Sequence, residues 1–272
     1  MQSIVPFVIH RNMAPESPFR ILFRTWSSSS AGTNSRQGCR SGDKNRRNIG
    51  DLEMAEHFEN HINLDNRVPT CFISTTDDPV RALKYAIDLQ GQGENNIHIS
   101  IIRSSNYRCG EELAFWCDHD KKPLFRTEFL FLWEIKASEI LHVVSLETLE
   151  RSNLLIKFGV LDPEYWEEGT LPSLQRIREE IYDRNEKAWE RDSRTWPERS
   201  GRYVAAIAKC FGNGAPQRAI ASLIWDRGTH FKPDDYEIRG LDLRVWDAIR
   251  RVLDQEGCSC WYDEWCGELA SL

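Results

Sequence analysis

The sequence predicts an α+β fold followed by a helical C-terminal portion. Over residues 15–150, short apolar runs rich in β-favouring residues alternate with amphipathic segments, which is typical of mixed strands and helices. From residue 151 onward, apolar residues instead recur at helical spacing within charged segments. The 272 residues suffice to bury a substantial core. We therefore predict an α+β domain at residues 15–150 and a helical domain at residues 151–272.

The strands of the first domain are predicted from apolar runs that polar stretches interrupt. The clearest is EFLFLWEIK, where aromatic and aliphatic residues alternate on one face from Phe129 to Ile135. A strand in NIHISIIRS is predicted from the same alternation. The complete set of predicted strands is 20–26, 71–74, 96–104, 128–136 and 140–146.

Helices are predicted from apolar spacing together with capping residues. A helix in GDLEMAEHFENHIN begins at a plausible Asp51 N-cap, and another spans Pro79–Leu89 with Asp77 or Asp78 as its cap. In the second half, a long charged helix covers 173–192. Three further helices are predicted to end at glycines, a residue typical of helix C-termini: Gly212, Gly228 and Gly257.

Charge and composition exclude several classes of protein. The net charge of -7 is spread evenly along the chain, which does not favour a nucleic-acid-binding protein. A basic stretch at 36–47 is predicted to be a solvated loop. No window approaches the ~18 apolar residues of a membrane span, and the N-terminus lacks the features of a secretory signal. We therefore predict a cytoplasmic protein with no membrane partner.

The eight cysteines follow no disulfide-framework spacing, so reduced thiols are expected. The C-terminal cluster of Cys258, Cys260 and Cys266 has poor spacing for zinc and no nearby histidine. Buried cysteine is the commoner use of such residues, so no metal site is predicted.

Three polar features of the first half occupy notable positions. Arg24 lies inside the first strand, Ser74-Thr75-Thr76 ends a later strand directly before a capped helix, and Glu128 begins the strand EFLFLWEIK. Each has a simple structural explanation taken alone: an exposed or ion-paired arginine, an ordinary helix start, and a solvated glutamate.

In order and context these residues resemble the R-S-E pattern of mono-ADP-ribosyltransferases. The segments FISTTDDPVRALKYA and TEFLFLWEIKASEILHV carry the resemblance best. The run LFRTWS…FISTT…ALKYA…EFLFLWEI also resembles an uncharacterised group of fungal domains. The resemblance implies an ADP-ribosyltransferase-like split β-sandwich with flanking helices, and NAD as substrate.

The resemblance also implies roles for individual residues. Glu128 would hydrogen-bond the nicotinamide ribose and stabilise positive charge as the nicotinamide–ribose bond breaks. Arg24 would grip the pyrophosphate or ribose through its planar guanidinium. Ser74 would orient Glu128 and the ribose, Thr75 and Thr76 would support the turn, and Phe125 is a candidate for contacting the target.

The sequence departs from the pattern at Arg126, two positions before Glu128, where many family members carry Glu or Gln. The acceptor is therefore open: a protein side chain, or water in plain NAD hydrolysis. Glu111 and Glu112 are not expected to replace the pattern, because adjacent acids on a strand point to opposite faces. Two alternatives remain, namely a catalytically silent module of the same fold that binds a nucleotide or protein, and a helical interaction protein. The oligomeric state is not predicted.

Overall fold

The computed structural model describes residues 19–45, 48–63, 66, 68–116, 125–229 and 239–254. Their strands are β1 (Arg20–Trp26), β2 (Thr33–Ser35), β3 (Gly38–Arg40), β4 (Phe72–Thr76), β5 (His98–Ser104), β6 (Arg108–Cys109), β7 (Glu128–Leu132), β8 (Glu134–Lys136) and β9 (Ile140–Ser145). Their α-helices are α1 (Asp51–Ile62), α2 (Pro79–Gly91), α3 (Gly110–Trp116), α4 (Leu146–Arg151), α5 (Leu154–Lys157), α6 (Leu174–Arg191), α7 (Trp196–Lys209), α8 (Gln217–Thr229) and α9 (Arg239–Asp254). The α+β class predicted from the sequence is confirmed.

The strands form two antiparallel sheets. The larger has the order β6-β7-β4-β1-β5-β9, and the smaller has the order β2-β3-β8. In the larger sheet, β1 pairs with β5 along its whole length. In contrast, β1 pairs with β4 at one position, where Phe23 lies opposite Thr76. The six strands therefore form two halves, β6-β7-β4 and β1-β5-β9, which separate on one side of that pair.

Different layers cover the two faces of the larger sheet. The small sheet packs on one face, where Leu22, Ile73 and Phe131 of the large sheet meet Cys39 and Ile135 of the small one. Helices cover the other face. Helices α1 and α3 pack over β4 and β7, while α2 packs over β1 and β5.

The C-terminal helices pack on one another and on α2. Their predicted apolar positions are buried, and one hydrophobic cluster joins them to β1, β5 and α2. These buried residues are Val204, Ile207, Ile220, Ile224, Val245 and Ile249. None of the described helices has the length and apolar character that a membrane span requires.

The segment EFLFLWEIK is not the single strand that its alternation predicts. Trp133 adopts a positive φ of 69°, a left-handed conformation that interrupts the extended chain. The residues before it form β7 in the large sheet, and those after it form β8 in the small sheet. This break carries the chain from one sheet to the other, with the Trp133 N–H donating to the Cys71 carbonyl oxygen at 2.8 Å.

Four further expectations differ from the structure. Glu111 and Glu112 lie on α3 and not on a strand. The stretch predicted to be a loop at 36–47 contains β3. Asp51 is the first residue of α1, whose N-cap is Gly50, and α8 continues past Gly228 to Thr229. Gly257 lies outside the described residues.

Candidate functional site

Three neighbouring strands hold the residues singled out in the sequence. Arg24 lies on β1, Ser74 on β4 and Glu128 at the start of β7, and β4 is flanked by the other two strands. The three residues lie close together where the halves of the large sheet separate. The structure thus brings Arg24, Ser74 and Glu128 into one site.

Ser74 and Glu128 are in direct contact. The Ser74 hydroxyl donates to Glu128 Oε1 at 2.7 Å. The other carboxylate oxygen, Oε2, lies 3.7 Å from Nη2 of Arg81 on α2, and Arg81 also donates to the Thr127 hydroxyl at 3.1 Å. The Glu128 side chain is only 12% exposed. The carboxylate is therefore held in a defined position beside a hydroxyl and a guanidinium.

Arg24 bridges the two halves of the sheet and reaches the small sheet as well. Its Nη1 donates to the Ser74 carbonyl oxygen at 2.9 Å, and its Nε donates to Asn34 Oδ1 on β2, also at 2.9 Å. The β1–β4 ladder does not continue beyond Phe23 and Thr76. The Arg24 guanidinium therefore donates to the Ser74 carbonyl oxygen in place of a main-chain N–H of a neighbouring strand. Burial lowers the pKa of Arg24, and burial also raises the pKa of the neighbouring Cys39 thiol.

The hydroxyls that follow Ser74 are used within the protein. Thr75 is buried and donates to the Phe129 carbonyl oxygen at 2.7 Å. The Thr76 hydroxyl accepts from the Asp78 N–H at 3.1 Å, and Asp78 Oδ1 accepts from the N–H groups of Val80 and Arg81 at the start of α2. Asp78 is thus the N-cap predicted for this helix. Thr75 therefore ties β4 to β7, and Thr76 fixes the turn that leads into α2; both residues are buried.

His61 is a member of the site that sequence reasoning missed. Its Nε2 lies 2.6 Å from Ser74 Oγ, and its Nδ1 lies 2.9 Å from Thr70 Oγ1. Burial lowers the pKa of His61; the charge of Glu128 opposes this effect and that of Arg24 adds to it. The available signal was the pair His57 and His61, one helical turn apart on the face of α1 that Phe58 anchors to the core.

The residues directly before Glu128 have distinct surroundings. The ring of Phe125 packs edge-on against Phe58 with centroids 5.6 Å apart, so this candidate for target contact is part of a core cluster. The Arg126 side chain is 70% exposed, and its Nε lies 3.8 Å from Glu111 Oε1. No acid occupies the position of Arg126, as the sequence shows.

Metal-binding residues are not grouped in the part of the chain that the structure describes. Within the described ranges, no group of three His, Cys, Asp or Glu residues is placed to hold a metal ion. Among the described residues, Cys39, Cys71, Cys109 and Cys210 are not joined in disulfides. The cluster of Cys258, Cys260 and Cys266 lies outside the described residues.

Comparison with known proteins gives one result that bears on this site. Residues 17–149 match the family described as "Domain of unknown function (DUF7587)". This segment runs from before β1 through β9 and includes Arg24, His61, Ser74 and Glu128. No curated protein and no solved structure matches the chain.

Proposed function

We propose that this protein cleaves the nicotinamide–ribose bond of NAD, as an ADP-ribosyltransferase or as an NAD glycohydrolase. The observation that carries the proposal is the 2.7 Å hydrogen bond from Ser74 to Glu128, formed beside Arg24 on three neighbouring strands. The sheet that splits between β1 and β4 also agrees with the split β-sandwich that the resemblance to mono-ADP-ribosyltransferases implies. The fit of both features to one family supports this function over an unrelated one.

Glu128 would supply the charge that this reaction needs. Breaking the bond from nicotinamide to ribose builds positive charge on the sugar, as in glycoside hydrolysis, and a fixed carboxylate stabilises that charge. Ser74 fixes Oε1, so Oε2, which lies 3.7 Å from Arg81 Nη2, would be the oxygen that faces a ribose hydroxyl. Because the carboxylate is oriented before substrate binds, little reorganisation is needed when the charge develops.

Arg24 would contribute to NAD binding with fewer N–H donors than the resemblance alone suggests. Two of its nitrogen atoms already donate to Asn34 and to the Ser74 carbonyl oxygen. The guanidinium has five N–H donors in all, so donors remain for a phosphate or ribose oxygen. Its first role in this site is to hold Ser74, and contact with NAD would use its remaining N–H groups.

The acceptor proposed to fit best is water. Arg126 occupies the position where an acidic or amide residue orients the acceptor in many mono-ADP-ribosyltransferases, and a cation cannot perform that role. Transfer to a protein arginine is therefore not expected. A protein acceptor of another kind is compatible with the proposal, because nicotinamide release is common to both outcomes.

A catalytically silent module that binds a nucleotide or protein is the second candidate. The observation that favours it is that both oxygens of Glu128 are already engaged, with Ser74 on one side and Arg81 at 3.7 Å on the other. In such a module the carboxylate would organise the fold at the junction of the strands. Binding of NAD without cleavage would be its signature.

Nicotinamide release and calorimetric NAD binding separate the two candidates. We expect wild-type protein to release nicotinamide, and Glu128→Gln to lower the rate by about 10²–10³-fold, the usual cost of removing one charge-stabilising group. The affinity for NAD should change little, because the amide keeps the shape of the carboxylate. Glu112→Gln, on an exposed residue of α3, is the matched control and should behave as wild type.

The outcomes are distinct. Wild-type protein that binds NAD but releases no nicotinamide supports the silent module. Wild-type protein that neither binds NAD at millimolar concentration nor releases nicotinamide removes both nucleotide hypotheses and leaves a protein-binding role.

A further inference from the structure

His61 belongs to a chain of hydrogen bonds that ends at Glu128. The chain runs from Thr70 to His61 to Ser74 to Glu128, with separations of 2.9, 2.6 and 2.7 Å. Its members come from three separate elements: α1, β4 with the residues before it, and β7. Through this chain, α1 helps to position the Glu128 carboxylate by way of His61.

The chemistry of the four groups sets the direction of every bond. An ionised carboxylate only accepts hydrogen bonds, so the single proton of the Ser74 hydroxyl points to Glu128. Ser74 Oγ must then accept from His61, which places a proton on Nε2. In neutral imidazole the other nitrogen is bare, so Nδ1 accepts from the Thr70 hydroxyl. All the protons of the chain point toward Glu128.

A neutral His61 is also the form that leaves Glu128 its charge. A cationic imidazole in this position would attract the carboxylate and weaken its effect on a positively charged ribose. The half-buried position of His61, between α1 and β4, works against the cation. The site therefore gains a rigid donor without gaining a further positive charge beside those of Arg24 and Arg81.

We propose that His61 is a positioning residue, whose Nε2–H holds the Ser74 hydroxyl so that Ser74 donates only to Glu128. The hydrogen-bond direction is a property of the folded protein, whereas its catalytic consequence rests on the proposed function. The two are tested by different measurements.

The tautomer of His61 tests the hydrogen-bond direction without any substrate. Long-range proton–nitrogen NMR on histidine-labelled protein distinguishes the Nε2–H from the Nδ1–H form, and single His→Gln variants assign the signals. We expect the neutral Nε2–H form in wild type at neutral pH. In Ser74→Ala the acceptor is lost, so we expect a shift toward Nδ1–H, which can donate to Thr70. An Nδ1–H form in wild type would overturn the proposal.

His57 is the internal reference for this experiment. It lies one turn earlier on α1, and its Nδ1 accepts from the Cys71 N–H at 3.2 Å, so it is also expected to carry its proton on Nε2. Because His57 has no contact with Ser74 in the structure, Ser74→Ala should leave its signals unchanged. A shift of both histidines would indicate a general distortion of α1 and would count against a specific role for His61.

Nicotinamide release tests the catalytic consequence. His61→Gln keeps an N–H donor near the position of Nε2 and should retain most of the wild-type rate. His61→Phe keeps an aromatic ring but removes the donor, and should lower the rate by about 10–100-fold, the cost seen when a residue that orients a metal ligand is lost. The Michaelis constant for NAD should stay near its wild-type value, since His61 is linked to Glu128 through Ser74.

Three results separate failure of this proposal from failure of the proposed function. Wild-type protein that releases no nicotinamide contradicts the proposed function, while the tautomer of His61 still decides the hydrogen-bond direction. Equal rates for the Phe and Gln variants and wild type contradict the positioning role. Loss of rate in His57→Phe equal to that in His61→Phe would show a defect of α1 packing and would also contradict it.

Discussion

Arg24 shows how one side chain can replace a missing piece of secondary structure. Beyond the pair Phe23 and Thr76, β1 follows β5 while β4 follows β7, and the main-chain groups between β1 and β4 lose their ladder partners. Buried carbonyl groups without a partner are costly. The guanidinium satisfies the Ser74 carbonyl oxygen and ties β4 to β2 through Asn34. The opening between the strands is therefore stabilised beside Ser74.

We expect Arg24→Lys to destabilise the protein by about 1–3 kcal/mol, the usual range for losing hydrogen bonds from a charged donor to partly buried acceptors. A single ammonium group cannot reach Asn34 and the Ser74 carbonyl oxygen in the geometry of the guanidinium. Affinity for NAD should fall as well. Urea unfolding and calorimetry measure the two effects.

The control is Arg40→Lys, an exposed arginine on β3, which should change stability by no more than about 0.5 kcal/mol. If Arg24→Lys unfolds at the same urea concentration as wild type, the bridging role of Arg24 is wrong.

The sequence singled out Arg24, Ser74 and Glu128 as candidates, and they lie together in the structure, but it did not point to His61. The first three lie on β-strands with recognisable patterns, and strand order then places them together. His61 meets Ser74 because α1 crosses β4, which is a matter of packing between elements. Helical spacing shows that His57 and His61 share a face, but it does not show what that face contacts.

At the scale of elements, the strands were predicted where hydrophobic alternation is strong and missed where it is absent. β1 was predicted with its observed bounds, because RILFRTW is a short β-favouring run that stops at the polar stretch Ser27–Ser30. β2 and β3 have three residues each and are polar or glycine-containing, so alternation could not reveal them. The break at Trp133 was also hidden, because a left-handed tryptophan leaves the apolar pattern intact on both sides.

Helix packing gives a prediction at this scale through Gly201 on α7. A Cβ atom at this position would lie 2.6 Å from Ala248 Cβ and 2.6 Å from the Val245 carbonyl oxygen, both on α9. We expect Gly201→Ala to destabilise the protein by about 1–2 kcal/mol, because overpacking of closely crossing helices exceeds the gain in helix propensity. Thermal unfolding measures the change.

Gly91→Ala is the matched control for this substitution. Gly91 is the last residue of α2, and an added Cβ would meet no atom within 4 Å. Its melting temperature should equal or exceed that of wild type. A Gly201→Ala variant as stable as Gly91→Ala would show that α7 and α9 do not approach as closely as described.

At the scale of the whole molecule, the C-terminal helices are attached to the domain that carries the site. The apolar attachment is the hydrophobic cluster shared by β1, β5, α2 and the helices from α6 onward. A polar attachment accompanies it. Arg178 on α6 pairs with Asp78, the buried N-cap of α2, just after the turn that follows Ser74. The described helices from α6 onward thus pack against the elements that carry the site, and none of them supplies a residue to it.

The Arg178–Asp78 ion pair is largely removed from solvent. Asp78 is 0% exposed and the Arg178 side chain is 17% exposed, so removal of the arginine leaves a buried carboxylate without its cation. We expect Arg178→Met to destabilise the protein by about 3 kcal/mol, as is usual when one partner of a buried pair is removed. Arg176→Met is the control. Arg176 Nη1 lies 3.8 Å from Glu179 Oε2, and the side chains of Arg176 and Glu179 are 59% and 45% exposed. This substitution should cost less than about 1 kcal/mol.

A second substitution identifies the cause of the loss. Asp78→Asn keeps a side-chain oxygen to cap α2 but removes the negative charge, so the double variant Asp78→Asn/Arg178→Met should be more stable than Arg178→Met alone. Urea unfolding of wild type, Asp78→Asn, Arg178→Met and the double variant measures the free energy of each step. If the double variant is no more stable than Arg178→Met, the loss of stability in Arg178→Met comes from lost packing of the arginine stem. Removal of the Asp78 charge would otherwise have restored stability. If Arg178→Met matches Arg176→Met, the ion pair does not hold the helices to the site-bearing domain.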